Sequence, residues 1–116
     1  MSADADCLFC RIVSGDIPAT VVLDNEHVVA FRDVSPQAPV HVLVIPKRHV
    51  PDVAALVDAA PAEVSALFAG AAQVARDDGL DDGYRMVANT GKRAHQTVFH
   101  AHVHVLGGRD LGWPPG

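Results

Sequence analysis

Apolar and polar positions change rhythm along this chain in a way that predicts strands, then helix, then strands again. Thr20–Asp24 and His27–Arg32 are short β-branched runs either side of an Asn25-Glu26 turn, the pattern of a hairpin. Ser35-Pro36-Gln37-Ala38-Pro39 is a loop held open by two prolines. His41–Ile45 (HVLVI) then predicts a buried strand stopped by Pro46. From Asp52 the period lengthens. Val53, Leu56 and Val57 suit a short helix broken near Pro61, and Val64, Leu67, Phe68, Ala71, Ala72 and Ala75 recur at helical spacing up to about Asp77. Pro61 fits a first turn and Gly79 a stop. Tyr84–Asn89 predicts a further strand, Thr90–Thr97 a polar loop and Val98–Leu106 a last strand, before a tail, GGRDLGWPPG. At the other end, residues 7–14 (CLFCRIVS) read as a short helix or turn closed by Gly15 and Pro18. Strands around one main helix imply an α+β domain with the helix packed on an antiparallel sheet. No repeat, low-complexity tract or linker divides the chain, so residues 1–116 are expected to form one domain, with its core over 7–106 and a tail over 107–116.

Composition narrows the class. A chain of 116 residues can bury a core without disulfide staples, and with 49% hydrophobic but only 5% aromatic residues that core must be built from Ala and Val. The net charge of −5 disfavours broad binding to nucleic acid or anionic membrane, while leaving room for a local basic pocket that takes a small anion. The first residues, Met1 to Asp6, are acidic and polar, unlike a secretory leader, and no apolar run approaches the ~20 residues that span a bilayer. A cytoplasmic protein is expected. Cys7 and Cys10, the only cysteines, stand in a C-x-x-C spacing, for which a disulfide is not expected in that compartment.

The candidate chemistry lies in His100-Ala101-His102-Val103-His104-Val105-Leu106. Read as a strand, it buries Ala101, Val103 and Val105 on one face and lines three imidazoles on the other, about 6.5–7 Å apart. A row of polar residues facing solvent is the plainest alternative. A strand H-x-H pair can also serve a catalytic zinc, but the first and third histidines lie about 13 Å apart at the backbone, too far to converge on one ion. Phosphate chemistry suits the segment better. A neutral imidazole can attack phosphorus, and its neighbours can bind phosphate oxygens and protonate a leaving group. The preceding loop adds backbone N–H groups at Gly91, the cations Lys92 and Arg93, and the Thr97 hydroxyl. The C-x-x-C, taken alone, is open between a redox pair, two buried thiols and half of a metal site.

The run Gln96-Thr97-Val98-Phe99-His100-Ala101-His102-Val103-His104-Val105-Leu106 resembles the signature of the histidine triad (HIT) family. Three more blocks agree in order and spacing: residues 31–41 (FRDVSPQAPVH), 44–49 (VIPKRH) and 83–89 (GYRMVAN). The closing G-G-R…W-P-P-G resembles the Hint branch, the histidine triad nucleotide-binding proteins, and the resemblance covers nearly all of residues 7–116. It implies the HIT fold: an antiparallel sheet of about five strands, one main helix and a short N-terminal helix. It also implies a homodimer whose sheets join edge to edge.

Carried onto this chain, the resemblance makes His102 the nucleophile and His104 the group that contacts phosphate and assists departure. His41 becomes a supporting partner that helps set the ring state of His102. Asn89, the loop around Gln96, and Thr97 would bind the α-phosphate, with Thr97 replacing the Ser of many relatives. Asp33 would accept hydrogen bonds from ribose hydroxyls. Leu8, Phe9, Ile17, Phe31 and Val34 would form the slot for the base, although as residues alone they read as ordinary core. Arg32 departs from the His common in Hint relatives. Cys7 and Cys10 resemble zinc-carrying bacterial members, which implies a structural zinc on Cys7, Cys10, His49 and His100 and no catalytic metal. Trp113 would lie in a tail that reaches the partner subunit's active site.

The implied ligands are a purine nucleoside monophosphate or phosphoramidate, and the implied reaction is hydrolysis of nucleoside 5′-phosphoramidates or related substituted nucleotides through a nucleotidyl-histidine. A dinucleoside polyphosphate hydrolase, and a nucleotide-binding regulatory protein with vestigial catalysis, are the other readings. His104 argues against the transferase branch, whose triad ends in Gln.

Overall fold

The computed structural model describes residues 6–116; the acidic start of the chain, Met1–Ala5, lies outside them. Helix α1 (Leu8–Val13) comes first, followed by strands β1 (Val21–Asp24), β2 (Val28–Arg32) and β3 (Val40–Pro46). Helices α2 (Val53–Ala59) and α3 (Pro61–Asp77) lead to β4 (Tyr84–Val87) and β5 (Val103–Gly107). The strands form one antiparallel sheet in the order β1-β2-β3-β5-β4. The last strand is therefore inserted between the third and the fourth, which sets β5 beside β3.

Local chemistry explains the boundaries. The β1–β2 turn is an Asx turn, with Asn25 Oδ1 accepting the N–H groups of His27 and Val28. Asp52 caps α2 by accepting the Ala55 N–H at 2.8 Å. Pro61 occupies the first turn of α3, where a missing N–H costs nothing. In α1, the Cys7 sulfur sits at the N-cap and accepts from the Cys10 N–H.

Helix α3 buries Leu67, Gly70, Ala71, Val74 and Ala75, a stripe at helical spacing, against one face of the sheet. Val28, Ala30, Val42, Val44, Val103 and Val105 supply that face, and all six are fully buried. Gly70 lets the helix lie close, since a Cβ there would stand 3.0 Å from Val28 and 3.3 Å from Val44. The opposite face carries a smaller cluster, Phe9, Val29, Phe31, Leu43 and Ile45, under α1. His41 and His104 share that second face by strand alternation.

β1 and β2 each begin one residue later than their sequence suggests, and two further strands are cut back by more. Tyr84–Asn89 ends at Val87, and Val98–Leu106 begins only at Val103. The reason in the second case lies in competing hydrogen bonds. The Ala101 N–H bonds to the Val50 carbonyl and the His102 ring to the His100 carbonyl, so this stretch is held by partners outside the ladder. Among the described residues, no helix is long and apolar enough to cross a membrane.

Leu67 is fully buried at the centre of the α3 stripe. Leu67→Ala should cost about 3 kcal/mol of unfolding free energy. Val57→Ala, at a half-exposed position, should cost less than about 0.5 kcal/mol. Urea denaturation of both variants checks the difference.

Candidate functional site

Three imidazoles, those of His41, His102 and His104, meet where β3 and β5 pair. Leu43 is the direct partner of His104, so His41 lies diagonally across the same face, within reach of the His104 ring. His41 Nε2 and His104 Nδ1 are 2.9 Å apart. The His102 and His104 rings are 5.0 Å apart, closer than a regular strand would set them, because His102 precedes the first ladder residue.

The partners of each ring fix its tautomer. His41 Nδ1 accepts the backbone N–H of Gln37 at 3.0 Å, so in the neutral ring the proton sits on Nε2. That N–H donates to His104 Nδ1, with Asp33 Oδ2 also nearby at 3.4 Å. His104 must then carry its own proton on Nε2, leaving that donor for a partner other than His41. His102 is set the other way. Its Nδ1–H donates to the His100 carbonyl at 2.8 Å, which leaves an unprotonated lone pair on Nε2. The site thus presents one nucleophilic nitrogen and one N–H donor on adjacent rings.

Burial keeps these rings neutral. Desolvation lowers the pKa of His102 and of His41, against the opposing pull of the Asp33 carboxylate. His104 is pushed down to about 4, by burial first and then by the neighbouring His102 and His41. Asp33, His41 and His104 also bring three metal-ligating atoms together. Metal binding through His41 Nε2 would require the proton on Nδ1, where the Gln37 N–H already points. The hydrogen bonding therefore favours proton chemistry at this cluster.

A cleft of ≈ 620 Å³ opens on the same face and is lined by Leu8, Phe9, Ile17, Phe31 and Val34, with Asp33 on its wall. Phe9 joins it to the imidazoles, packing edge-on against Phe31 at 5.4 Å and His102 at 5.2 Å. All five apolar residues expected in a base slot and the expected ribose acceptor line one cavity. Arg32 reaches its edge, but its guanidinium forms a bidentate pair with Asp78 at the end of α3, at 2.7 and 3.1 Å. That pair raises the pKa of Arg32 and lowers that of Asp78.

Behind Phe9, Cys7, Cys10, His49 and His100 converge. Cys10 Sγ lies 3.2 Å from His49 Nδ1 and 3.5 Å from His100 Nδ1, Cys7 Sγ 3.4 Å from His100 Nδ1, and the two Nδ1 atoms are 3.2 Å apart. Tetrahedral zinc–sulfur and zinc–nitrogen bond lengths imply ligand separations of about 3.3–3.8 Å, which the cluster nearly matches. His100 is fully buried, and its Nε2–H donates to the Pro46 carbonyl at 2.8 Å, so its Nδ1 lone pair faces the sulfurs. Burial lowers its pKa to about 4, which favours the neutral, ligating form.

Other expected residues stand differently. His41 supports His104, and not His102 as its motif position suggests. Gln96 is buried and its amide is fully engaged, accepting the Gly91 N–H and donating to the Pro51 and Val98 carbonyls. It buckles the loop, and its side chain has nothing left for a phosphate. Asn89 is half-buried and Thr97 exposed, and among the described residues neither side chain makes a hydrogen bond to the protein. Thr97 borders a recess beside Cys7, His49 and Phe99. Trp113 is 83% exposed, away from this chain's core. Sequence reasoning missed the Gln37 N–H and the Pro46 carbonyl because backbone groups carry no residue-type signal. It also missed Ile12 and Leu43 on the cleft wall, which read as plain core.

Residues 14–111 match the model of the HIT domain. The chain is 46% identical over 111 residues to an uncharacterized HIT-like protein of Synechocystis sp., covering 96% of this chain and 97% of that one. A 14 kDa zinc-binding protein of Zea mays is 47% identical over 119 residues, covering 97% of this chain and 90% of its own. The crystal structure of a HIT family hydrolase from Legionella pneumophila superposes with a TM-score of 0.91 at 44% identity, over 96% of this chain and all of that one. With its five-stranded sheet and its histidines in these positions, the chain belongs to the HIT domain family.

Proposed function

We propose that this protein is a hydrolase that cleaves nucleoside 5′-phosphoramidates, or related substituted nucleotides, to the nucleoside monophosphate through a nucleotidyl-His102 intermediate. One observation carries the reading: His102 donates its Nδ1–H to the His100 carbonyl, which leaves a lone pair on Nε2, and its ring packs against Phe9, a wall residue of the ≈ 620 Å³ cleft that Asp33 also lines. The Legionella relative is described as a hydrolase, which supports the reaction class.

In the first step Nε2 of His102 attacks phosphorus, and the P–N bond to the leaving amine breaks. The His104 Nε2–H donates to a phosphoryl oxygen beside the departing nitrogen, which takes its proton from solvent. The His100 carbonyl stays bonded to Nδ1–H and stabilises the positive character of the phosphorylated ring. In the second step water attacks phosphorus, the P–Nε2 bond breaks, and the water's proton returns to solvent. One water is consumed and His102 is restored. Each step inverts at phosphorus.

Asp33 receives the ribose hydroxyls, the apolar wall takes a purine, and Asn89 and Thr97 hold the α-phosphate. Cys7, Cys10, His49 and His100 hold a structural zinc; the name of the maize relative and the donor separations support this. With four protein ligands such an ion would tie α1 to the loop after β3 and to the segment that bears His102. The protein acts in the cytoplasm as a homodimer joined through sheet edges, of which β4 is one.

His102→Ala should reduce turnover of adenosine 5′-phosphoramidate by at least about a thousandfold. Calorimetry should still detect nucleoside monophosphate binding to that variant. Diadenosine polyphosphates in the same assay decide the branch: rapid cleavage of these alone would replace the proposed substrate class.

Neutral imidazoles are required, so NMR titration should place the midpoint of His104 near 4, below the ordinary imidazole value of about 6.5. Because the folded ring is the weaker base, acid favours the unfolded chain. This contribution destabilises the fold increasingly as pH falls from the ordinary value to the folded one, is complete below the folded value, and vanishes above the ordinary value. A midpoint near the ordinary value would show that solvent reaches the ring.

Elemental analysis should find one zinc per chain. Chelation, or Cys10→Ser, should lower Tm by about 10 °C or more. Purified protein with no zinc and an unchanged Tm on chelation would rule the site out.

A further inference from the structure

The Gln37 N–H decides the tautomer of His41, and through it that of His104, so whatever holds Gln37 governs both rings. Gln37 belongs to the 33–39 loop, which closes on itself where the Asp33 N–H donates to the His41 carbonyl. Within the loop, Gln37 Nε2 donates to the Ser35 carbonyl and the Ser35 N–H to Asp33 Oδ1. A grip from outside comes from the segment that follows β5. Arg109 Nη2 donates to the Gln37 carbonyl at 3.1 Å, while Nη1 donates to the Asp110 carbonyl.

The two preceding glycines make this reach possible. Gly107 pairs with Val40, and a Cβ on it would stand 2.8 Å from Leu80. Gly108 has φ +89° and lies so close that a Cβ would stand 2.9 Å from Pro39. Only glycine combines that left-handed backbone with such close approach. The chain therefore turns tightly over the prolines of the loop and sets Arg109 against its tip.

We propose that Arg109 is a positioning residue for the His41–His104 pair, acting through Gln37. Its guanidinium fixes the Gln37 carbonyl, which holds residue 37 so that its N–H points at His41 Nδ1. The role is orientation: Arg109 is exposed, and a single exposed hydrogen bond adds little stability. The catalytic consequence rests on the proposed function; the effect on the rings does not.

The test uses the full chain labelled with ¹⁵N at histidine, with long-range proton–nitrogen spectra reading the tautomer of each ring. In the wild type, His41 should show a protonated Nε2 and an unprotonated Nδ1. In Arg109→Ala these signals should move toward the average of two tautomers, with Tm within about 3 °C of wild type. Phosphoramidate turnover should fall roughly tenfold, and Arg109→Lys, which keeps a donor, should recover part of it. Arg85→Ala is the control. Arg85 donates to the Gly112 carbonyl farther along the same tail, so its loss loosens the tail without touching Gln37 and should leave the His41 signals in place. Unchanged His41 signals in Arg109→Ala, or an equal shift in Arg85→Ala, would overturn the proposal. A wild-type protein inert toward phosphoramidates would refute the proposed function alone, because the tautomer spectra still decide the role of Arg109.

Discussion

Burying several imidazoles in one place is affordable only if they are neutral, and a neutral imidazole has one donor and one acceptor nitrogen. That constraint governs this protein. Each buried ring needs a partner that settles which nitrogen bears the proton, and the partners are mostly backbone groups: the His100 carbonyl for His102, the Gln37 N–H for His41, the Pro46 carbonyl for His100. Side chains supply the chemistry, but the main chain assigns the roles. His102 and His104 differ because one ring faces a carbonyl and the other receives an N–H.

The sheet order makes the assignment possible. Inserting β5 beside β3 puts His41 diagonal to His104, a contact between residues 63 apart in sequence. The early end of the ladder at Val103 matters as much. A fully paired strand would hold all three histidines of the H-x-H-x-H run at strand spacing on one face. Released from the ladder, His100 turns toward the cysteines while His102 stays beside His104.

Much of this is legible in the residues. Hydrophobic periodicity locates β2, β3 and the α3 stripe, because each buries one face on the same core. Asn25 marks the hairpin, since its side chain can build the turn unaided. The motif residues point to the cleft and to the four-donor cluster, and the structure gathers both. Three features escape such reading. The last strand is cut short by hydrogen bonds to Val50 and His100 that no local pattern encodes. His41 serves His104 because of strand register, a tertiary fact. Gln96 looks like a phosphate ligand from its place in the loop, yet its amide is consumed by Gly91, Pro51 and Val98. Backbone partners and register carry no signature in residue type.

Helix α1 has only six residues, far below the ~12–15 at which an isolated helix becomes even marginally stable in water. Its persistence must come from what holds it: the Phe9 contacts on one side and the Cys7 and Cys10 sulfurs on the other. The same helix carries Leu8 and Phe9 into the cleft. One wall of the cleft therefore has no helical stability of its own and stands only while Phe9 and the two sulfurs hold it against the sheet.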